Sequence, residues 1–144
     1  MNAKELLKQD CEFIITINTS KTFIEFYKIF IEVLNELKLN EEVRKVKEHI
    51  YNKRKPISFY KNLFKENNFE ITKISYDKFY YHFSDGEAFF NHTLIKLGFK
   101  ENWEKIVPKE FQTRVFKSVE KKLNATKNIT MIVPFALIKA RYQK

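Results

Sequence analysis

Phe13-Ile14-Ile15-Thr16-Ile17 is the stretch on which the fold turns. Every residue in it is apolar or β-branched, and Asn18, Thr19 and Ser20 break it off before it could make a helix of ordinary length. An unbroken apolar run of this size, without polar alternation, predicts a strand covered on both faces inside a sheet. A strand covered on both faces requires helices above and below, so the expected class is α/β. At the other end of the chain, residues 135–141 read Phe-Ala-Leu-Ile-Lys-Ala-Arg and predict a final strand. Pro134, which cannot donate to a ladder, marks a bulge or the point where that strand begins.

Between these two strands the periodicity is mostly helical. Thr22 followed by Glu25 is a capping-box pair, and Phe23, Phe26, Tyr27, Phe30, Ile31, Val33, Leu34 and Leu37 then recur every three or four residues. Asn40 offers a second cap, with Glu41 and Glu42 in the first turn where negative charge is favoured. Pro56 suits the start of a third helix that turns Ile57, Tyr60, Leu63 and Phe64 inward. Two extended pieces are expected next, over residues 69–75 and 78–83, parted by Tyr76 and Asp77. Ser84 and Glu87 make another capping box, predicting a helix to Leu97 with Phe89, Phe90, Leu94 and Leu97 inward and Gly98 as its stop. A last amphipathic helix starts at Pro108 and gathers Phe111, Val115, Phe116, Val119 and Leu123 on one face. Residues 2–9 read as the end of a helix. No repeat or glycine-serine linker divides the chain, so one domain is expected over residues 1–144, with 20–55 and 84–127 as helical cover or lid segments.

Composition bounds the function. With 144 residues, 44% of them hydrophobic, there is material for one ordinary core. Fifteen Phe and seven Tyr stand against two Gly, which leaves almost nothing for phosphate-cradling turns. The lone Cys11 excludes an internal disulfide and a cysteine zinc cluster, and fits a cytoplasmic protein. No run of about 18 apolar residues is present, so no membrane span is expected. The net charge of +9 attracts polyanions, but the cations are spread along the chain. Their densest part, Arg44, Lys45, Lys47, Lys53, Arg54 and Lys55, reads as a solvated helix face and its exit turn, which makes nucleic-acid binding a minor alternative.

The order ELLKQDCEFIITINTSKTF (5–23), PISFYKNLFKENNFEITKI (56–74), DKFYYHFSDGEAFFNHTLIKLGF (77–99) and PFALIKARYQ (134–143) resembles the carboxyl-terminal half of class I S-adenosylmethionine-dependent methyltransferases. The resemblance implies a partial Rossmann-like sheet made of the last three strands, the final one running antiparallel between the other two, with several covering helices. Gln9, Asp10 and Cys11 stand where the family has a Pro-Gly-Gly turn, and Asn67, Asn68 and Phe69 stand at its Gly-Phe step. The resemblance further implies an enzyme that methylates a small molecule in its intact form. The glycine-rich turn and the acidic ribose acceptor that such a cofactor needs have no counterpart here, so S-adenosylmethionine is expected only in an intact form and no cofactor for this chain alone.

Candidate site residues are few. Asn18, Thr19 and Ser20 follow the carboxyl end of a strand, the edge where ligands sit in open α/β sheets. Because imidazole as a group titrates near neutrality, His82 and His92 are candidates for a general base; a place on the polar face of a strand is the plainer reading of His82. Tyr80 is a candidate pocket wall, with core packing as its alternative. No spacing of His49, His82 and His92 makes a metal site, and Cys11 reads as a small apolar filler. Two function classes remain: a methyltransferase part that is inactive alone, and a non-enzymatic module. Either would leave a sticky sheet edge, which predicts a homodimer or a complementary chain.

Overall fold

The structure, a computed structural model, describes residues 10–143. The helix expected over residues 2–9 lies outside them. The chain runs β1 (Glu12–Asn18), α1 (Ile24–Glu36), α2 (Asn40–Lys53), α3 (Ile57–Glu66), β2 (Phe69–Phe83), α4 (Gly86–Asn91), α5 (Thr93–Ile95), a π-helical turn (Lys96–Lys100), α6 (Glu101–Ile106), α7 (Lys109–Asn124) and β3 (Ile129–Tyr142). It is an α/β fold with a three-stranded sheet in the order β1-β3-β2. β3 is antiparallel to both neighbours, pairing Ile14 with Lys139 and Ile17 with Ala136 on one side, and Phe83 with Ile129 on the other. β1 and β2 are therefore parallel to each other, with the last strand inserted between them. This is the arrangement expected from the sequence.

β3 serves two cores, one on each face. Ile129, Met131 and Val133 are buried on the front, whereas Ala136, Ile138 and Ala140 are buried on the back. Successive strand residues point to opposite faces, so burial changes sides at Pro134 and Phe135. On the front, β3 packs under α1, α2 and α4 to α7 through Phe26, Phe30, Val46, Phe89, Trp103 and Val119. On the back, Phe64 of α3 covers Phe13, Ile15, Ile17 and Ile71. The front core is largely aromatic. Trp103 stacks on Phe26 with centroids 4.0 Å apart, and its indole nitrogen donates to the Tyr27 hydroxyl at 3.2 Å.

β1 stops at Asn18 while β3 continues to Ile129, so among the described residues nearly half of one edge of β3 has no strand beside it. The chain closes that edge in another way. The Thr19 amide donates to the Pro134 carbonyl at 2.9 Å and the Phe23 amide to the Ile132 carbonyl at 2.8 Å. The Glu25 carboxylate accepts from the Ile132 amide at 3.2 Å. A strand residue's N–H and C=O point the same way, so the donor that Pro134 lacks would have faced this same closed edge. Strand β3 therefore runs through Pro134 and does not begin after it.

Several local expectations are corrected. Thr22 and Glu25 form no capping box: α1 is preceded by Phe23 in the left-handed region (φ 57°), the Thr22 hydroxyl donates to the Thr19 carbonyl, and Glu25 serves the sheet. Asn40 is the first residue of α2 and makes no side-chain cap. Residues 69–83 form one strand, because β3 is long enough to pair Tyr76 with Ala136 and Asp77 with Phe135 across the expected break. Its one irregularity lies between Ile71 and Lys73. The cap of α4 is Asp85, whose carboxylate accepts from the Ala88 amide, while Ser84 donates to Asp85. Leu63 is exposed, as is Leu94, and Leu97 is 84% exposed. Gly98 stops nothing, since it sits inside the π-helical turn.

Candidate functional site

Alternation along β1 decides what its outer edge offers. Phe13, Ile15 and Ile17 are half-buried against α3, while Glu12, Ile14, Thr16 and Asn18 point to the front and are exposed. Thr19 bonds Pro134, and Cys11 accepts from Tyr142, so the odd-numbered backbone groups serve the ladder with β3. The amides of Thr16 and Asn18 consequently point out of the sheet. At that edge a cleft of about 480 Å3 is lined by Thr16, Ile17, Asn18, Lys53, Arg54, Tyr60 and Phe99.

Three elements bring the remaining lining residues there. Helix α2 ends at Lys53, and Arg54 follows in an extended conformation (φ −139°, ψ 85°). That change of direction turns Arg54 inward, where it is only 5% exposed, while Lys53 stays at the surface. The solvated-face reading of this basic run is thus wrong for Arg54. The π-helical turn inserts a residue into the helical register and brings Phe99 under both cations. Lys53 Nζ lies 4.0 Å and the Arg54 guanidinium carbon 5.4 Å from the Phe99 ring centroid. Lys53 also donates to the Gly98 carbonyl at 2.6 Å. Tyr60 comes from α3 on the back face.

The cleft is electropositive and its charge is not compensated. Among the described residues no carboxylate pairs with Lys53 or Arg54, in contrast to Arg44 with Glu41 and Glu48, or Lys122 with Glu32 and Glu36. Nη1 of Arg54 is buried and has no hydrogen-bond partner among the described residues. Burial, and then the neighbouring Arg54 charge, push the Lys53 ammonium below its ordinary pKa. One turn earlier in α2, His49 is held below its ordinary value by burial first and by Lys53 and Arg54 next.

The residues expected from sequence do not gather into one site. Asn18 lines the cleft. Thr19 is used in the turn that closes the β3 edge, and Ser20 is exposed beside it. Tyr80 and His82 lie on the exposed back face of β2, their rings stacked 6.3 Å apart, with His82 Nδ1 3.1 Å from the Thr130 hydroxyl. His92 lies on the front, edge-on to Tyr81 and Phe83, with Nδ1 buried and unpartnered. β2 therefore separates the two histidines. From sequence, Lys53 and Arg54 were weighed only as part of the basic run and Tyr60 only as an inward residue of the third helix, while nothing pointed to Phe99.

Gly86 does not supply the close backbone approach that a nucleoside-methionine cofactor would need. Gly86 follows a strand and opens a helix, but a Cβ there would lie 2.8 Å from Glu120 Cγ and 3.1 Å from Asn124 Oδ1. The chain itself fills the space that a ligand would need. No group of three or more His, Cys, Asp or Glu side chains gathers to hold a metal, and no helix is long and apolar enough to cross a membrane, among the described residues.

No protein-family model and no curated protein matches the chain. Among solved structures it is similar to a protein of Bacillus halodurans C-125 described as a candidate methyltransferase, with 16% identity and a TM-score of 0.42. The match covers 96% of this chain and 54% of that one, so the chain spans about half the length of that protein.

Proposed function

We propose that the chain is the carboxyl-terminal part of a cytoplasmic, S-adenosylmethionine-dependent methyltransferase that acts on a small molecule, and that alone it is inactive. The observation that supports this reading is the strand order β1-β3-β2, with β1 and β2 parallel and the last strand antiparallel between them. The resemblance in sequence implies the same arrangement. In this reading the cofactor is held by a complementary glycine-rich portion, and the helical segments 20–55 and 84–127 cover the sheet. Calorimetric titration of the chain with S-adenosylmethionine is the test. No binding is expected, and clear micromolar binding would overturn the division of labour proposed here.

A second reading is favoured by the outer edge of β1, where among the described residues no strand pairs and Ile14 is 48% exposed. An open edge is a template for another chain. The protein is then an interaction module that pairs with a second copy or a complementary chain through β1. Sedimentation velocity separates the outcomes: an assembly is expected, and a well-folded monomer at all concentrations counts against it.

A further inference from the structure

We propose that the cleft at the outer edge of β1 is a binding site for the oxyanion of a small molecule, a carboxylate or a phosphate, held by Arg54. The inference starts from the Arg54 guanidinium, which is nearly buried and has an unpartnered Nη1. An arginine does not escape burial by losing its proton. A buried charged donor without a partner is costly, so proteins that keep one usually pair it with a carboxylate. None of the described residues supplies that carboxylate, and Lys53 adds a second positive charge at the same place.

The surroundings fit a ligand that carries the missing charge. Phe99 supports both cations from below and fixes where they point. Arg54 lines the cleft, and a guanidinium has five N–H donors on three nitrogens, so an oxyanion can engage it there without contacting the buried Nη1 itself, while its charge offsets the buried cation. Thr16 and Asn18 bring a hydroxyl, a carboxamide and two outward amides to the same cleft, all able to donate to oxygen. Its volume of about 480 Å3 falls in the range of small-molecule pockets. Ile17, Tyr60 and the Phe99 ring give an apolar side against which the rest of the molecule lies. The proposal stands apart from the methyltransferase reading, because it concerns this chain alone and holds whether or not the chain takes part in methyl transfer.

The test is a titration of the full 15N-labelled chain, followed by NMR, with sodium phosphate in one arm and sodium benzoate in the other. Ionic strength is held constant with sodium chloride. Saturable shifts at the amides of Thr16, Asn18 and Phe99 and at Arg54 Nε are expected, and the tighter arm tells which oxyanion the cleft prefers. Arg54→Met is expected to weaken binding at least about tenfold. Asn18→Asp guards against misfolding of that variant, since it supplies the missing carboxylate internally: it should raise the melting temperature and abolish saturable binding of either probe. The proposal is overturned if chloride produces the same shifts, or if saturable binding survives both substitutions unchanged. It is equally overturned if a single-stranded oligonucleotide, and neither small anion, shifts the cleft residues.

Discussion

The Glu25 carboxylate and the Ile132 amide meet at 3.2 Å, joining the first turn of α1 to the part of β3 that β1 leaves uncovered. The bond stands in for a ladder hydrogen bond. Glu25→Ala therefore leaves a half-buried amide unsatisfied, and we expect a loss of about 1–2 kcal/mol in urea unfolding. Glu25→Gln keeps an acceptor oxygen and should recover most of it. If the two variants were equally destabilised, charge and not the hydrogen bond would be the cause; if neither were, the edge closure would be incidental.

Trp103 is the only tryptophan in the chain and is fully buried in the aromatic core. Its emission should be blue-shifted in the native state and move to the red on unfolding. Trp103→Ala removes the ring stacked on Phe26 and should cost about 3–5 kcal/mol. Tyr27→Phe removes the acceptor for the indole N–H and should cost about 1–2 kcal/mol. Because the two residues are in contact, the loss from Tyr27→Phe should shrink in a Trp103→Phe background, which has no indole donor. Strict additivity would argue that the 3.2 Å contact contributes nothing.

How much of this could be read from the residues differs from element to element. β1 was legible as a strand, because five apolar or β-branched residues in a row have few other places to go. The expected cover on both its faces is wrong: β1 lies at the sheet edge with Ile14 and Thr16 exposed on the front. α1 and α7 were legible because their stripes are long. Residues 84–106 were not. The stripe read there ran through Leu94 and Leu97, but the helix breaks at the extended residue His92 (φ −60°, ψ 132°) and restarts at Thr93, and the π-helical turn follows, so that Ile95, Phe99 and Trp103 face inward and Leu97 faces water. Nothing local in Lys96-Leu97-Gly98-Phe99 announces an extra residue per turn. The cleft was half legible. Asn18 follows from its place after β1, whereas the burial of Arg54 depends on Phe99, which lies far along the chain.

The two glycines should respond in opposite directions to a methyl group. At Gly86 the added Cβ meets Glu120 Cγ at 2.8 Å and the Glu120 carbonyl at 3.1 Å, and the Gly86 amide is bonded to Asn124 at 2.6 Å. Neither the backbone of α7 nor the bond leaves room, so Gly86→Ala should cost about 1–3 kcal/mol. At Gly98 the nearest atom is Leu94 Cδ1 at 3.8 Å, and φ is not positive. Gly98→Ala then lowers the entropy of the unfolded chain without a clash and should gain about 0.5–1 kcal/mol. Thermal unfolding of both variants decides. A destabilised Gly98→Ala would mean that the π-helical turn needs glycine.

His49 predicts how stability depends on pH. Burial, followed by Lys53 and Arg54, holds its pKa below the ordinary 6.5, and its Nε2 is buried without a partner among the described residues. The unfolded chain takes up a proton there near 6.5, whereas the folded chain takes it up only at lower pH. Between those two values the unfolded state binds more protons, so stability falls as pH falls through about 6.5 and is fully present above it. His49→Gln removes the titration, and its urea midpoint should drop less than the wild-type midpoint between pH 7.5 and pH 5.5. His49→Gln leaves His82 and His92 in place, so the difference between the two profiles belongs to position 49. An oxyanion bound at Arg54 would offset the two cations and raise the His49 pKa, so phosphate should narrow that difference. A His49 ring that titrates above 6.5 by NMR, or two profiles that superimpose, would remove the basis for this linkage.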